Sequence, residues 1–282
     1  MIDFDHYTGS KGGSGVWQRI ISGMPPHTTY VEPFLGSGVI LRAKQAAAVT
    51  VGVDADDRVV QAWREKFPAV RVVCGDAISW LKAYKWNAGK LVYCDPPYLF
   101  STRSNQSNAY RHEFSESDHR ELLRVLVKLP CYVMISGYRS QVYDTMLGAW
   151  RRVDIPTIKR NGQRAVECLW CNFPEPVLLH DYRFVGDNRR ERHRIKKKCA
   201  RWRAKILSMP AWERAVIFNA LSELASPGLE SRTETPDLVS APATSPEMVS
   251  AAAVAGSGGR ARQLSPEMVS RDPVAASGVN PW

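Results

Sequence analysis

Between residues 28 and 173, short apolar runs alternate with amphipathic stretches, and this alternation fixes the class of fold open to the chain. The runs cover residues 29–34, 49–53, 70–74, 91–94, 132–135 and 166–173. Helical patterns fall between several of them, over residues 39–48, 56–67 and 116–129. The last carries Leu122, Leu123, Leu126 and Leu129 at helical spacing. Strand–helix alternation of this kind predicts an α/β fold, a mostly parallel sheet with helices on both faces.

After Pro176 the pattern changes. Residues 187–207, with Met209 just beyond, place Ile195, Cys199, Trp202, Ile206 and Met209 on one helical face amid a dense basic surface. Ser208-Met-Pro210 reads as a break and restart. Residues 211–225 form a second amphipathic pattern through Trp212, Val216, Phe218, Leu221 and Leu224. A helical hairpin over residues 183–225 is the simplest arrangement. From residue 226 to 282 the chain is rich in Ser, Ala, Pro and Gly, and such a segment cannot offset the entropy of ordering its backbone. It is expected to be a disordered tail. Ser245-Pro-Glu-Met-Val-Ser250 recurs in it as Ser265-Pro-Glu-Met-Val-Ser270, and two copies are too few for a solenoid.

Charge is concentrated. The net charge is +10, and residues 183–214 hold 12 Lys/Arg against 3 Asp/Glu, so one segment makes the protein basic. That pattern suits a surface that tracks phosphates, with Arg190, Arg194, Lys197 and Arg201 as candidate nucleic-acid contacts. A solvated helix face is the alternative. No apolar run approaches 18 residues, so no membrane span is expected. The first residues, Met1-Ile-Asp-Phe-Asp5, are acidic without an apolar core, which points to a cytoplasmic protein. Of the six cysteines only Cys168-Leu-Trp-Cys171 has metal-like spacing. No second pair accompanies it, and a strand would turn the two thiols to opposite faces. No metal is expected.

Four motifs follow apolar runs and carry chemistry. Glu32-Pro-Phe-Leu-Gly-Ser-Gly38 is a Gly-rich turn leading into a helix, where glycine lets backbone approach a ligand closely. It lacks the three-glycine dinucleotide fingerprint. Asp54, ending the second run, can accept hydrogen bonds from both ribose hydroxyls of a nucleoside cofactor. Asp76, ending the third, can accept from an adenine amine. Each also reads as a helix N-cap. Asp95-Pro-Pro-Tyr98 directly follows the fourth run. Its two prolines stiffen the loop and project an acid and an aromatic ring into one crevice. A plain Pro-Pro turn is the alternative.

In order, Tyr7-Thr-Gly-Ser-Lys11, Glu32-Pro-Phe-Leu-Gly-Ser-Gly38, Asp54, Gly75-Asp76-Ala77 and Asp95-Pro-Pro-Tyr98 resemble the Dam-type N6-adenine DNA methyltransferases, especially their phage and prophage members. The resemblance continues through Tyr110, Phe114, His119-Arg-Glu-Leu122, Ile135-Ser-Gly-Tyr138 and Glu167-Cys-Leu-Trp170-Cys-Asn172. It implies a Rossmann-like S-adenosylmethionine-dependent methyltransferase domain over residues 1–180. By that resemblance Glu32, Pro33, Phe34, Gly36 and Gly38 line the S-adenosylmethionine pocket, Asp54 holds its ribose and Asp76 its adenine. Tyr7 and Lys11 lie near its methionine end, and Asp95 also contacts the cofactor. Asp95 and the Pro96 carbonyl would take the target amine, Pro97 would stiffen the loop, and Tyr98 would stack on the target base.

The chain departs from the family in one respect. Dam-type enzymes usually carry a target-recognition domain between the Gly-rich and Asp-Pro-Pro-Tyr motifs, and residues 39–94 leave no room for one. Base readout then falls to residues 99–112, including Arg103, Asn105 and Tyr110, or to the basic hairpin. A polar lid is the other reading of that loop. Relaxed sequence specificity is expected, and one sharply methylated motif in treated DNA would refute it. Related Pro-Pro-Tyr motifs serve N4-cytosine and protein-glutamine methylation, where Asn or Ser commonly replaces the Asp. Adenine methylation in ribosomal RNA and a catalytically silent nucleic-acid-binding protein also remain open.

Overall fold

The computed structural model describes residue 4 and residues 15–103, 111–158 and 162–229. Seven strands form one sheet: β1 (Thr29–Glu32), β2 (Val49–Asp54), β3 (Arg71–Cys74), β4 (Lys90–Cys94), β5 (Tyr132–Gly137), β6 (Arg151–Ile158) and β7 (Arg164–Cys171). Their order is β3-β2-β1-β4-β5-β7-β6. The first five run parallel, and β7 is antiparallel to both of its neighbours. The helices are α1 (Val16–Ile21), α2 (Val39–Ala43), α3 (Asp57–Lys66), α4 (Ala77–Ala83), α5 (Glu116–Leu126), α6 (Gln141–Met146), α7 (Arg189–Leu207) and α8 (Ala211–Leu229). This is the expected Rossmann-like α/β fold.

The central strands read as unbroken apolar runs because both faces of the sheet are covered. Val31, Val92, Val133 and Ile135 point to one face, where they meet Leu81 of α4, Leu122 and Leu126 of α5 and Val142 of α6. Their neighbours Tyr30, Leu91, Tyr93 and Met134 point to the other and pack with Ile20 of α1 and Ile40 of α2. A third cluster joins Phe4, Leu35, Val59, Val60, Trp63 and Val72. Ser115 opens α5 with a capping box closed by Asp118. Cys168 and Cys171 are buried thiols of β7. Among the described residues no group of His, Cys, Asp and Glu could hold a metal ion. No helix there is long and apolar enough to cross a membrane.

Strand β6 and the short helices α1 and α6 were not legible in the sequence. β6 is an edge strand with Pro156 inside it, and an edge is one of the few places in a sheet that tolerates an interior proline. The helix expected over residues 39–48 ends at Ala43, because Lys44 already has extended backbone (φ −71°, ψ 159°).

The basic segment differs from a packed hairpin. Helices α7 and α8 break at Ser208-Met-Pro210 as expected, yet they do not pack along each other, and Trp202, Trp212 and Phe218 are more than half exposed. Helix α8 continues through residues 226–229, which composition assigned to the tail. Residues 230–282 lie outside the described residues. The stem before α7 is anchored firmly. Asp181 is fully buried and accepts from the Gln45 amide at 2.9 Å and from Arg183 at 2.6 Å, and Arg183 also donates to the Ala43 carbonyl at 2.8 Å.

Candidate active site

The strand order reverses between β1 and β4, so the connections leaving these two strands diverge and open a crevice at their carboxyl ends. Both strongest motifs sit there, one on each side of the divide.

After β1 the chain folds back on β2 and α3. The Leu35 amide donates to the Val53 carbonyl at 3.0 Å, the Gly36 amide to Asp54 Oδ2 at 2.7 Å, and Trp63 Nε1 to the Gly36 carbonyl at 2.9 Å. Gly36 and Gly38 have φ of 47° and 56°, the left-handed region that glycine enters freely. A Cβ on Gly38 would stand 2.3 Å from Trp63 Cζ2. The loop is therefore clamped between a buried indole and the end of β2. Phe34 projects beside it, edge-on to Phe114 at 5.4 Å.

Three carboxylates end three adjacent strands. Asp54 is a tie rather than a helix cap: Oδ1 accepts from the Asp56 amide at 2.9 Å, and it is Asp56 that caps α3. Burial raises the Asp54 carboxyl above its ordinary range, against the lowering effect of those amides. Asp76 does cap its helix, accepting from the Ser79 amide at 2.7 Å at the start of α4. Glu32 is buried and accepts from the Tyr30 hydroxyl at 2.8 Å. Burial, opposed by that hydrogen bond and reinforced by the charge of Asp95, pushes Glu32 up to about 8. Lys44 is buried as well, its ammonium 4.4 Å from the centre of the Tyr30 ring, and burial pulls it down to about 8.

Asp76→Ala is expected to cost about 1 kcal/mol of stability through the lost cap. Chemical denaturation measures that term. A cofactor affinity that falls further than the stability does would assign the carboxylate a ligand role in addition.

The Asp95-Pro-Pro-Tyr98 loop is held at every residue. Ser136 Oγ donates to Asp95 Oδ1 at 2.8 Å and lies 2.9 Å from the Tyr93 hydroxyl, so the end of β5 orients the carboxylate. Pro96 is buried and Pro97 partly so. His119, which burial pulls down to about 4, lies against the Pro97 carbonyl and meets the Tyr143 hydroxyl at 3.0 Å. The Tyr98 hydroxyl donates to Glu167 Oε1 at 2.6 Å, and its ring stands edge-on to Tyr138 at 4.9 Å. The hydroxyl's pKa is raised by burial first, then by the charges of Asp95 and Glu167.

Arg103 is committed to the protein rather than offered to solvent. Its Nε donates to the Tyr98 carbonyl at 2.6 Å, its two terminal nitrogens take Glu113 at 3.1 and 2.7 Å, and its side chain is 9% exposed. It ties the Tyr98 backbone to Glu113. Tyr7, Lys11, Asn105 and Tyr110 lie outside the described residues. Arg190, Arg194, Lys197 and Arg201 are exposed on α7, remote in sequence from the crevice, with Arg194 3.3 Å from Glu191. Glu167, Ser136 and Glu113 were missed as site residues. Glu167 had a signal: it is the one carboxylate in the apolar run that became β7.

The site's side chains are carboxylic. Glu32, Asp54 and Asp76 suit hydroxyl, amine and ammonium groups, and none of the positions from residue 32 to 38 carries a cation for a phosphate.

Residues 55–149 match the family model of D12 class N6 adenine-specific DNA methyltransferases. No curated protein matches the chain in sequence. Among solved structures, 23S rRNA methyltransferase ErmE is similar at 15% identity over 57% of this chain and 69% of that one, with a TM-score of 0.39. N-methyltransferase NodS from Bradyrhizobium japonicum is similar at 11% identity over 57% and 94%, with a TM-score of 0.39. SMU.1697c from Streptococcus mutans, in complex with SAH, is similar at 10% identity over 55% and 94%, also with a TM-score of 0.39.

Proposed function

We propose that this methyltransferase moves the methyl group of S-adenosylmethionine to the exocyclic N6 amine of adenine in DNA. The observation that carries this reading is the Asp95 carboxylate, oriented by Ser136, at the head of a loop whose Tyr98 ring is fixed from its hydroxyl, edge and carbonyl. The family match over residues 55–149 supports adenine as the base and DNA as the polymer.

S-adenosylmethionine supplies an electrophilic methyl group on a sulfonium. Glu32, Phe34, Gly36, Gly38, Asp54 and Asp76 are the residues that would hold it. The chemistry left to this chain concerns the amine. The N6 lone pair is delocalised into the purine ring and is a poor nucleophile. Accepting its two hydrogens, one at the Asp95 carboxylate and one at the Pro96 carbonyl, favours a tetrahedral nitrogen with a localised lone pair. The same acceptors stabilise the positive charge that grows on nitrogen as the carbon–nitrogen bond forms. Tyr98 offers a ring face to a base that has left the duplex stack, which offsets part of the unstacking cost.

Incubation with unmethylated DNA and, separately, RNA, followed by nucleoside mass spectrometry, tests the reading. N6-methyladenine in DNA is expected. Methyladenine in RNA alone would overturn the choice of polymer, and methylcytosine the choice of base.

Helix α7 supplies salt-dependent affinity in this reading. Neutralising Arg190, Arg194, Lys197 and Arg201 together is expected to weaken DNA binding at least tenfold near physiological salt and to flatten the slope of log Kd against log salt by about 3 to 4. Titrations at several salt concentrations read both quantities. An unchanged slope would remove α7 from the interface.

A further inference from the structure

We infer that the β6–β7 hairpin is a duplex-binding arm that grips nucleic acid beside the target-base site, an inference that rests on the nucleic-acid reading above. Because β7 runs antiparallel to β5, it enters the sheet from the rim on which β4 and β5 end. Cys168 lies opposite Gly137, the last residue of β5, and residues 164–167 continue outward with β6 as their paired neighbour. At about 3.4 Å per residue, the two-stranded ribbon overhangs that rim by ~14 Å.

The root of the arm is in the site itself, since Glu167 at its base receives the Tyr98 hydroxyl. Farther out, Pro156 pairs with Val166 and Ile158 with Arg164, which puts all four side chains on one face. That face is open: Ile158 is 62% and Val166 49% exposed, and Arg164 makes no ion pair among the described residues. Among the described residues of 155–158 and 162–166, Arg164 is the one charged side chain.

A bare ribbon carrying apolar and cationic side chains needs an occupant. A second copy pairing along β6 is disfavoured, because Pro156 removes a backbone donor from that edge. A DNA duplex fits on three counts. A two-stranded ribbon has the cross-section that a major groove admits. The arm has the sign of charge that phosphates select. It also stands on the rim from which a flipped base enters the crevice. The arm supplies part of the contact area that a missing recognition domain would otherwise provide.

The test compares wild type with Arg164→Gln and Ile158→Ser, singly and together, and with Arg164→Lys. DNA affinity is measured across a salt series, alongside KM for DNA, kcat and thermal melting. The double variant is expected to bind DNA about tenfold more weakly, with melting unchanged and most of the effect in KM. Arg164→Gln alone should reduce the salt slope by about 1, and Arg164→Lys should restore it. Equal affinity and slope in wild type and double variant would overturn the arm. So would an Arg164→Lys protein as impaired as Arg164→Gln, since the charge would then be irrelevant. Failure of the functional reading looks different: wild type itself would leave no N6-methyladenine in DNA.

Discussion

Replacing Asp95 with alanine is expected to lower the rate of methyl transfer by about 10²–10³-fold while the protein stays folded, the size of effect seen when one preorganised polar partner of a transition state is removed. Alanine takes away the acceptor for one amine hydrogen and the negative charge facing the developing cation, and it leaves Ser136 Oγ without its 2.8 Å partner. Asp95→Asn separates these contributions. Its amide oxygen can still accept from Ser136, but the charge is gone, so its rate should fall between those of wild type and alanine. Single-turnover kinetics on adenine-containing DNA, with melting curves as the control for folding, decides the matter. An alanine variant that retains near-wild-type turnover would remove Asp95 from the chemistry and leave the loop a structural turn.

The second large effect falls on stability. Gly38→Ala is expected to destabilise the protein by about 2–4 kcal/mol, since a residue other than glycine at positive φ costs roughly 1 kcal/mol or more and overpacking a tight interior adds about 1–3. Both apply here: φ is 56°, and the new methyl would meet the buried Trp63 ring at 2.3 Å. Relief would require the indole to move, and that would break its hydrogen bond to the Gly36 carbonyl. Urea denaturation gives the value directly. Gly75→Ala is the matched control, because its added methyl has nothing within 4 Å, and a change within about 0.5 kcal/mol is expected. Equal midpoints for the two variants would mean that the Gly-rich loop is not clamped by Trp63.

How far the fold and site could be read from sequence depends on how local each determinant is. The central strands were legible because a sheet covered on both faces demands runs such as Leu91-Val-Tyr-Cys94, and those runs carry their signal internally. β6 was not, since an edge strand exposes alternate residues and tolerates Pro156, which blurs the same signal. Asp95 and Tyr98 were legible from a four-residue motif. Glu167 and Ser136, which hold them, come from strands that begin more than 35 residues downstream, and only sheet order brings them together. Arg103 illustrates the reverse. Its side chain type suited a base-reading role, but all three of its nitrogens bond within the protein, to the Tyr98 carbonyl and to Glu113, ten residues on. Whether Asp54 caps its helix turned on two residues of helix register, since Asp56 is the cap, and periodicity does not resolve a shift of that size.

The buried Asp181 has a consequence for how such a protein can be cut and rejoined. Its carboxylate closes the Gln45 amide and, through Arg183, the Ala43 carbonyl, so residues 181–183 are part of the catalytic body. The first separable joint is the exposed stretch just before α7, where Asn188 caps the helix. A chimaera spliced there would exchange the basic helices as a cassette, and the body would need new partners only for the Asp187 amide and the Gly186 carbonyl, which Glu191 and Arg192 of α7 now meet. One spliced at Pro176 would strand the Gln45 amide and the Ala43 carbonyl beside α2, and that makes the joint before α7 the natural seam along which this chain can trade one basic helical appendage for another.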